Sequence, residues 1–165
     1  MTVSVVEFKH TLARFASGVT VVTTLGEQGP VGATVSAFSS VSIDPPQVLV
    51  CLDKRLYTRQ RVKDTGVFAV SILAANQQRL GLQFAGMIPE LEDRFAGVAT
   101  HTAVTGVPIL AGCVAWLDCR VAAVYDSGSS DIIVGAVQAA WGGDDLPILY
   151  FNRGWYGLLP EGKLG

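Results

Sequence analysis

Apolar residues fall into short runs separated by turn-forming Gly, Pro, Asn and Asp along most of the chain, the pattern of strands rather than of long amphipathic helices. VTVVTT (19–24) is β-branched throughout, LGEQGP supplies a turn, and VGATVSAF begins a second strand. QVLVCLD (47–53) is almost continuously apolar and predicts a strand buried on both faces. VFAVSIL (67–73), CVAWLDCRVAAVYDS, DIIVGAVQAAW and PILYFNRG read as further strands.

Helical signals are few. Ser4 with Glu7 forms a capping box, Val3 and Phe8 are placed to staple the entry, and Phe8, Leu12 and Phe15 share a stripe. With Gly18 as a left-handed C-terminal residue, this predicts a packing helix over 4–17. Shorter helices are expected over 58–64, ended by Gly66, and over 76–84, whereas 86–112 is rich in Gly, Pro and Thr and reads as a surface excursion. No internal repeat, linker or low-complexity tract interrupts the pattern. Consecutive strands with a few short helices predict a mainly β fold, an antiparallel barrel with helices outside it, as a single domain over residues 1–165.

Composition adds one expectation. Half the 165 residues are hydrophobic, 16% are charged and the mean hydropathy is +0.41, against about a quarter charged in an ordinary soluble domain. The excess apolar surface predicts burial against a partner, most simply a second copy of the chain. A net charge of −2, a pI near 5.6 and scattered Lys and Arg give no basic field and argue against nucleic acid. No apolar run has the roughly 18 residues that cross a bilayer, and MTVSVVEFKH lacks the features of a signal peptide. A cytoplasmic protein without membrane contact is expected, with Cys51, Cys113 and Cys119 reduced. Cys113 and Cys119, six apart in a strand-like run, are expected on one face of the core.

Most patterns of side-chain catalysis are missing. His10 and His101 are the only histidines and do not have metal-ligand spacing, so no metal site is expected and both read as solvated residues. GxSxG, GxxxxGK[ST] and GxGxxG are absent; GSSDIIVG only superficially resembles a phosphate loop. Asp44 with Asp53, or Glu90 with Glu92, read as solvated loop carboxylates. What remains is the hydroxyl segment Thr34, Ser36, Ser39, Ser40 and Ser42, the cationic stretch DKRLYT, and aromatic residues near the C-terminus. That set suits a planar phosphorylated ligand, with the chemistry carried by the ligand itself. The competing reading, hydroxyls that face solvent or cap turns, stands beside it.

RFASGVTVVTT, GATVSAFSSVSIDPPQVLVCLDKRLYT, GVFAVSIL, FAG with DRF, VGAV and PILYFNRGWYGL occur in colinear order over nearly the whole chain, and in this order they resemble the short-chain flavin reductase family. The resemblance implies an FMN-binding split barrel of Greek-key type with peripheral helices. It implies an NAD(P)H:flavin oxidoreductase that reduces FMN or FAD with NADH or NADPH and supplies reduced flavin, as a homodimer, to a partner monooxygenase. Carried onto this chain, it places Thr34, Val35, Ser36 and Ala37 along the isoalloxazine, and Ser39 and Ser40 toward the ribityl chain. Cys51, Leu52, Asp53 and Lys54 would pass the flavin, with Lys54, Arg55 and Thr58 at its phosphate. Phe84, Ala85 and Gly86 match the family's FAG, Arg94 and Phe95 its DRF, and Tyr150, Trp155 and Tyr156 the aromatic end that closes the site.

Members of that family often carry Gly-Asp-His before the penultimate strand, and here Gly128, Ser129 and Ser130, followed by Asp131, stand instead. Hydride passes directly from nicotinamide to flavin, so no catalytic side chain is required and Ser130 is at most a nicotinamide contact. Arg59 and Arg61 are the candidates for a 2′-phosphate. The missing imidazole keeps open a flavin-binding electron carrier without an efficient nicotinamide site, and the resemblance itself also implies a second alternative, a flavin-dependent reductase of another acceptor.

Overall fold

The structure is a computed structural model and describes residues 3 to 158. Helix α1 (Val5–Leu12) is preceded by Ser4, whose Oγ accepts from the Glu7 amide at 3.2 Å while Glu7 Oε2 accepts from the Ser4 amide at 3.0 Å. The capping box is therefore present, but the helix ends at Leu12 and Gly18 falls in the two-residue strand β1 (Ser17–Gly18). None of α1 is buried, and Phe8, Leu12 and Phe15 are 53%, 54% and 75% exposed. The stripe expected to pack on the chain's own core faces away from it.

The strands that follow are β2 (Thr20–Leu25), β3 (Pro30–Val35), β4 (Phe38–Ile43) and β5 (Pro46–Asp53). Helix α2 (Tyr57–Thr65) ends at Gly66 with φ of 69°, the left-handed stop its sequence predicts. Strand β6 (Val67–Ile72), helix α3 (Gln78–Phe84) and the short strands β7 (Thr100–His101) and β8 (Ile109–Leu110) come next. The long hairpin β9 (Ala115–Ser127) and β10 (Ser130–Gly142) is followed by β11 (Ile148–Phe151) and β12 (Gly154–Gly157). Strand β12 was not expected. Asn152 and Arg153, both with positive φ (47° and 64°), turn the chain back in a two-residue hairpin loop.

Seven strands form one antiparallel sheet in the order β3-β2-β6-β9-β10-β5-β4. Its two edge strands, β3 and β4, are consecutive in the chain and separated only by Ser36 and Ala37. Three peptide links span at most about 11 Å, so the sheet must curl until its edges meet at that end. The core shows the same curl. Val22, Val35, Val50, Leu52, Phe68, Cys119 and Ile133 come from six of the seven strands and form one cluster, with Val62 of α2 joining them. No ladder pairs β3 with β4, so the sheet is open along that seam. Gly135 of VGAV lets the wall close over the core: a Cβ there would lie 2.4 Å from Phe68 Cζ.

A second cluster, including Val19, Val21, Leu73, Phe84, Leu110 and Ile148, fills the outer side of β2 and β6 beneath α3 and the terminal hairpin. A third, with Val67, Ala69, Val107, Ile109 and Cys113, lies under the excursion. Strands β2 and β6 are consequently buried on both faces. Strand β5 is not, contrary to its apolar run: Val48, Val50 and Leu52 point into the core while Leu49 and Cys51 on the other face are half-buried. The two buried thiols also differ from expectation, because Cys113 precedes β9 and belongs to the third cluster while Cys119 belongs to the main core. Burial pushes both thiols upward, that of Cys119 to about 12.

Two buried carboxylates tie the periphery down. Asp118 accepts from the Thr105 amide at 2.7 Å and from the Thr105 hydroxyl, pinning the excursion to β9. Asp131, 1% exposed, pairs with Arg59 and with Lys63 at 3.2 Å, fastening α2 to β10. Burial alone would raise its carboxyl, but the Lys63 and Arg59 hydrogen bonds outweigh it and hold it below the ordinary value.

Candidate active site

The seam between β3 and β4 is also where side chains gather. On an edge strand every second residue faces the same way, and Gly32, Thr34 and Ser36 mark one such face of β3 and its extension. Thr34 Oγ1 donates to Gly81 O at 2.6 Å, locking the edge strand to α3. Gly81 in turn leaves room for an indole: a Cβ there would lie 2.5 Å from Cη2 of Trp155. Trp155 sits opposite Tyr150 across the terminal hairpin, the rings edge to face at 5.7 Å.

Val19, Thr34, Ser36, Ala85, Tyr150 and Trp155, with Met87, enclose a cavity of about 200 Å³. Ser36 and Tyr150 also line an adjoining cavity of about 490 Å³ that reaches Leu12 and Phe15 of the α1 segment. A third, about 370 Å³, gathers Gly32, Arg55, Thr58 and Arg94 at the start of α2. The residue before α2, Leu56, offers no side-chain cap, and while the Arg59 amide donates to Leu56 O at 3.1 Å, the amides of Tyr57 and Thr58 are left without an internal partner at that cavity. Glu92 and Asp93 line that cavity together with the two arginines.

Arg94 fixes the wall between these spaces. Its Nη1 donates to Phe84 O at 2.9 Å and to Gly32 O at 3.3 Å, joining the end of α3 to β3. Gly86, with φ of +71°, passes so close that a Cβ would lie 2.8 Å from Arg94 Nη2. Gln83 Nε2 answers by donating to the carbonyls of Arg94 and Ala96 at 2.9 and 3.2 Å. FAG and DRF, separate in sequence, are two halves of one clasp.

Other sequence-predicted residues are held by contacts within the chain. The side chains of Val35, Leu52 and Phe84 are 6%, 0% and 0% exposed, so they leave only backbone to offer. Phe95 packs edge-on against Phe84 at 4.9 Å and supports it from behind. Lys54 is drawn to the β9–β10 turn, where Nζ donates to Asp126 Oδ2 at 2.7 Å and to Gly128 O at 2.8 Å. Asp53 is held by Arg55, at 3.0 and 2.7 Å; those hydrogen bonds and the charge lower its carboxyl to about 2. Arg59 is committed to Asp131, and Arg61 to Glu27 and Asp64, so neither is free for a 2′-phosphate.

Ser39 and Ser40 are exposed on β4, with Ser39 Oγ donating to Ser40 O at 3.1 Å. Cys51 is half-buried on the outer face of β5, and its amide donates to Ala37 O at the seam, at 3.0 Å. Ser130 opens β10 opposite Asp53, beside the Gly128 turn, and lines none of the three cavities. Tyr156 turns to Phe151, with ring centres 6.0 Å apart, and lines none of them either. Sequence reasoning missed Val19, Gly81 and Met87, and the approach of α1; glycine in a short helix next to FAG was the available signal for Gly81.

None of the residues enclosing the aromatic cavity is a His, Cys, Asp, Glu or Lys. No group of three potential metal ligands occurs among the described residues. The cavity can hold and orient a flat ring, and it offers hydroxyls and amides to that ring's polar edge; proton and electron chemistry must come from what it binds.

The sheet is thus curled and open at one seam, and an aromatic slot and a helix start without a side-chain cap flank that seam. The chain belongs to the flavin reductase like domain family, whose pattern matches residues 12–159. It is 38% identical to an FMN reductase (NADH), RutF, of Ancylobacter novellus, over 94% of this chain and 87% of that one. Its fold overlays that of a nitrilotriacetate monooxygenase component B from Mycobacterium thermoresistibile with a TM-score of 0.90, at 31% identity over 96% of this chain and 89% of that one. It overlays the NADH:FAD oxidoreductase SgcE6 of Streptomyces globisporus with a TM-score of 0.88, at 33% identity over 97% and 98%.

Proposed function

We propose that this protein is an NADH-dependent flavin reductase that delivers reduced FMN or FAD to a partner monooxygenase. The observation that carries the proposal is the seam cavity: aromatic and apolar walls, hydroxyls at one edge, and no side-chain acid or base within it. Bound there, a flavin supplies the hydride-accepting ring that the chain lacks. Thr34 and Ser36, with the backbone through Ala37, face its polar edge, and the open amides and Thr58 at the start of α2, with Arg55, face its phosphate. Leaving one of those polar groups buried and unpaired costs about 1 to 3 kcal/mol, which accounts for hydroxyls grouped between apolar strands. Trp155 and Tyr150 exclude water and set the plane against which the nicotinamide docks.

The open sheet is read as the split barrel of the family, formed by one domain over the whole chain. A homodimer, in which the exposed α1 stripe of Phe8, Leu12 and Phe15 covers the neighbouring copy beside the cavity that Leu12 and Phe15 line, accounts for the low charge fraction. A cytoplasmic location accords with reduced thiols and with the absence of a helix long and apolar enough to span a membrane among the described residues. The test is an anaerobic stopped-flow experiment that mixes flavin-loaded protein with NADH and follows bleaching of the oxidised flavin. Bleaching far above the protein-free rate is expected, and its absence despite demonstrated flavin binding would refute the reductase in favour of an electron carrier.

A further inference from the structure

Helix α2 is held at both ends. Toward its end Val62 enters the main core, and the Thr65 hydroxyl meets that of Thr24 at 2.9 Å. Near its start the hold is a buried charge. Arg59 Nε donates to Asp131 Oδ2 at 2.7 Å, its Nη2 pairs with the same oxygen, and Lys63, one turn further along the same face, donates to it at 3.2 Å.

Asp131 is a fixed point for that purpose. It lies in β10 opposite Leu52 of β5 on one side and Asp126 of β9 on the other, within the sheet and 1% exposed. The neighbouring ion pairs, Lys54 with Asp126 and Arg55 with Asp53, each include a well-exposed side chain, and such pairs fix little. Tyr57 and Thr58, whose amides lack a partner within the helix, directly precede Arg59 and line the cavity at the start of α2. Asp131 lines neither that cavity nor the aromatic one, so it reaches a ligand there only through the helix.

We propose that Asp131 is a positioning residue for the phosphate end of the flavin, acting through Arg59 on the first turn of α2. The proposal rests on the flavin reading above. With the carboxylate gone, Val62 and Thr65 still hold the far end, and the first turn is free to move Tyr57 and Thr58 out of the pose in which their amides meet a phosphate. Charge alone predicts the reverse. A carboxylate repels a nearby phosphate, so removal of an Asp131 that acted only through its charge would tighten anion binding. Position and charge thus differ in sign.

The experiment is calorimetric titration of the wild type, Asp131→Asn and the double variant Arg59→Met with Asp131→Asn, using FMN and riboflavin, which has the same ring and ribityl chain but no phosphate. The wild type should bind FMN more tightly than riboflavin. Asp131→Asn should weaken FMN roughly tenfold, comparable with the loss of one hydrogen bond to a charged group, and leave riboflavin unchanged. The double variant removes both partners, leaves the net charge unaltered and strands no buried carboxylate, and it should show the same loss. In NADH-driven turnover the KM for FMN should rise with kcat unchanged, and a fall in kcat alone would overturn the inference. An unaltered or tighter FMN affinity, equal weakening of both flavins, or failure of both variants to fold would overturn it too. Equal wild-type affinities for FMN and riboflavin would show that no phosphate is held at α2 and have the same effect. If neither flavin binds, the flavin reading itself is lost, whereas every other failure leaves that reading intact.

Discussion

Gly81→Ala isolates the contact that holds the aromatic wall. The added Cβ would lie 2.5 Å from Trp155 Cη2 and 2.8 Å from Cζ3, but only 3.4 Å from Leu73 Cδ1, already an ordinary contact. Carbon pairs settle near 3.5 Å, so the indole must retreat by about 1 Å while Leu73 stays put. Alanine gains about 1 kcal/mol of helix propensity over glycine, and overpacking costs about 1 to 3 kcal/mol. Net destabilisation is therefore about 0 to 2 kcal/mol, a fall in Tm of at most about 8 °C for a domain of this size. The active site has less latitude, because displacement of about 1 Å in a positioning wall lowers a rate by up to about 100-fold. Scanning calorimetry, tryptophan emission and single-turnover reduction by NADH read the three quantities separately. Trp155→Phe added to Gly81→Ala frees the space and should recover part of the rate, a coupling that two independent sites would not show. Unchanged emission together with an unchanged rate in Gly81→Ala would refute the reasoning.

Arg94→Ala removes both hydrogen bonds that Nη1 makes, to Phe84 O and Gly32 O; a loss of about 1 to 3 kcal/mol is expected in urea unfolding, and an unchanged midpoint would deny the clasp. Native protein treated with a thiol reagent should label at Cys51 and spare Cys113 and Cys119, which burial leaves protonated; mass spectrometry of the peptides decides it. Folding lowers the carboxyl of Asp53 to about 2, so as pH falls below the unfolded value of about 3.9 the unfolded chain takes up its proton first. That contribution is present above about pH 4 and lost toward pH 2, and Asp53→Asn should flatten the fall of Tm across that window; parallel curves for the two proteins would contradict it.

The strands that seal the core were legible because their composition states their environment: VTVVTT and VFAVSIL are apolar on both faces and are buried on both. QVLVCLD carries the same signal but has only half the burial, since α3 and the excursion cover β2 and β6 while, among the described residues, no element buries the outer face of β5. Periodicity reports that a face is apolar, not what lies against it, and the same ambiguity misplaced α1. Charged residues were the least legible. Lys54, Arg59 and Arg61 looked available in sequence, yet each meets a carboxylate brought from elsewhere, 72 residues away for both Lys54 and Arg59. Thr34 and Ser36 were recognisable because hydroxyls between apolar strands are unusual. Gly81 and Gly86 matter through the large side chains they admit, which local sequence does not reveal.

Ser36 and Ala37 are all that separates the two edge strands. A fully closed barrel would use up its amides and carbonyls on one another, and only side chains would remain for recognition. Here the sheet stops short of pairing its ends, and the hydrogen-bonding capacity left over lies along the cleft where a planar molecule fits. A ligand with donors and acceptors along one edge completes the circuit that the strands leave broken. In the proposed reductase, flavin bound at the seam would meet those open groups, and its departure would return them to solvent.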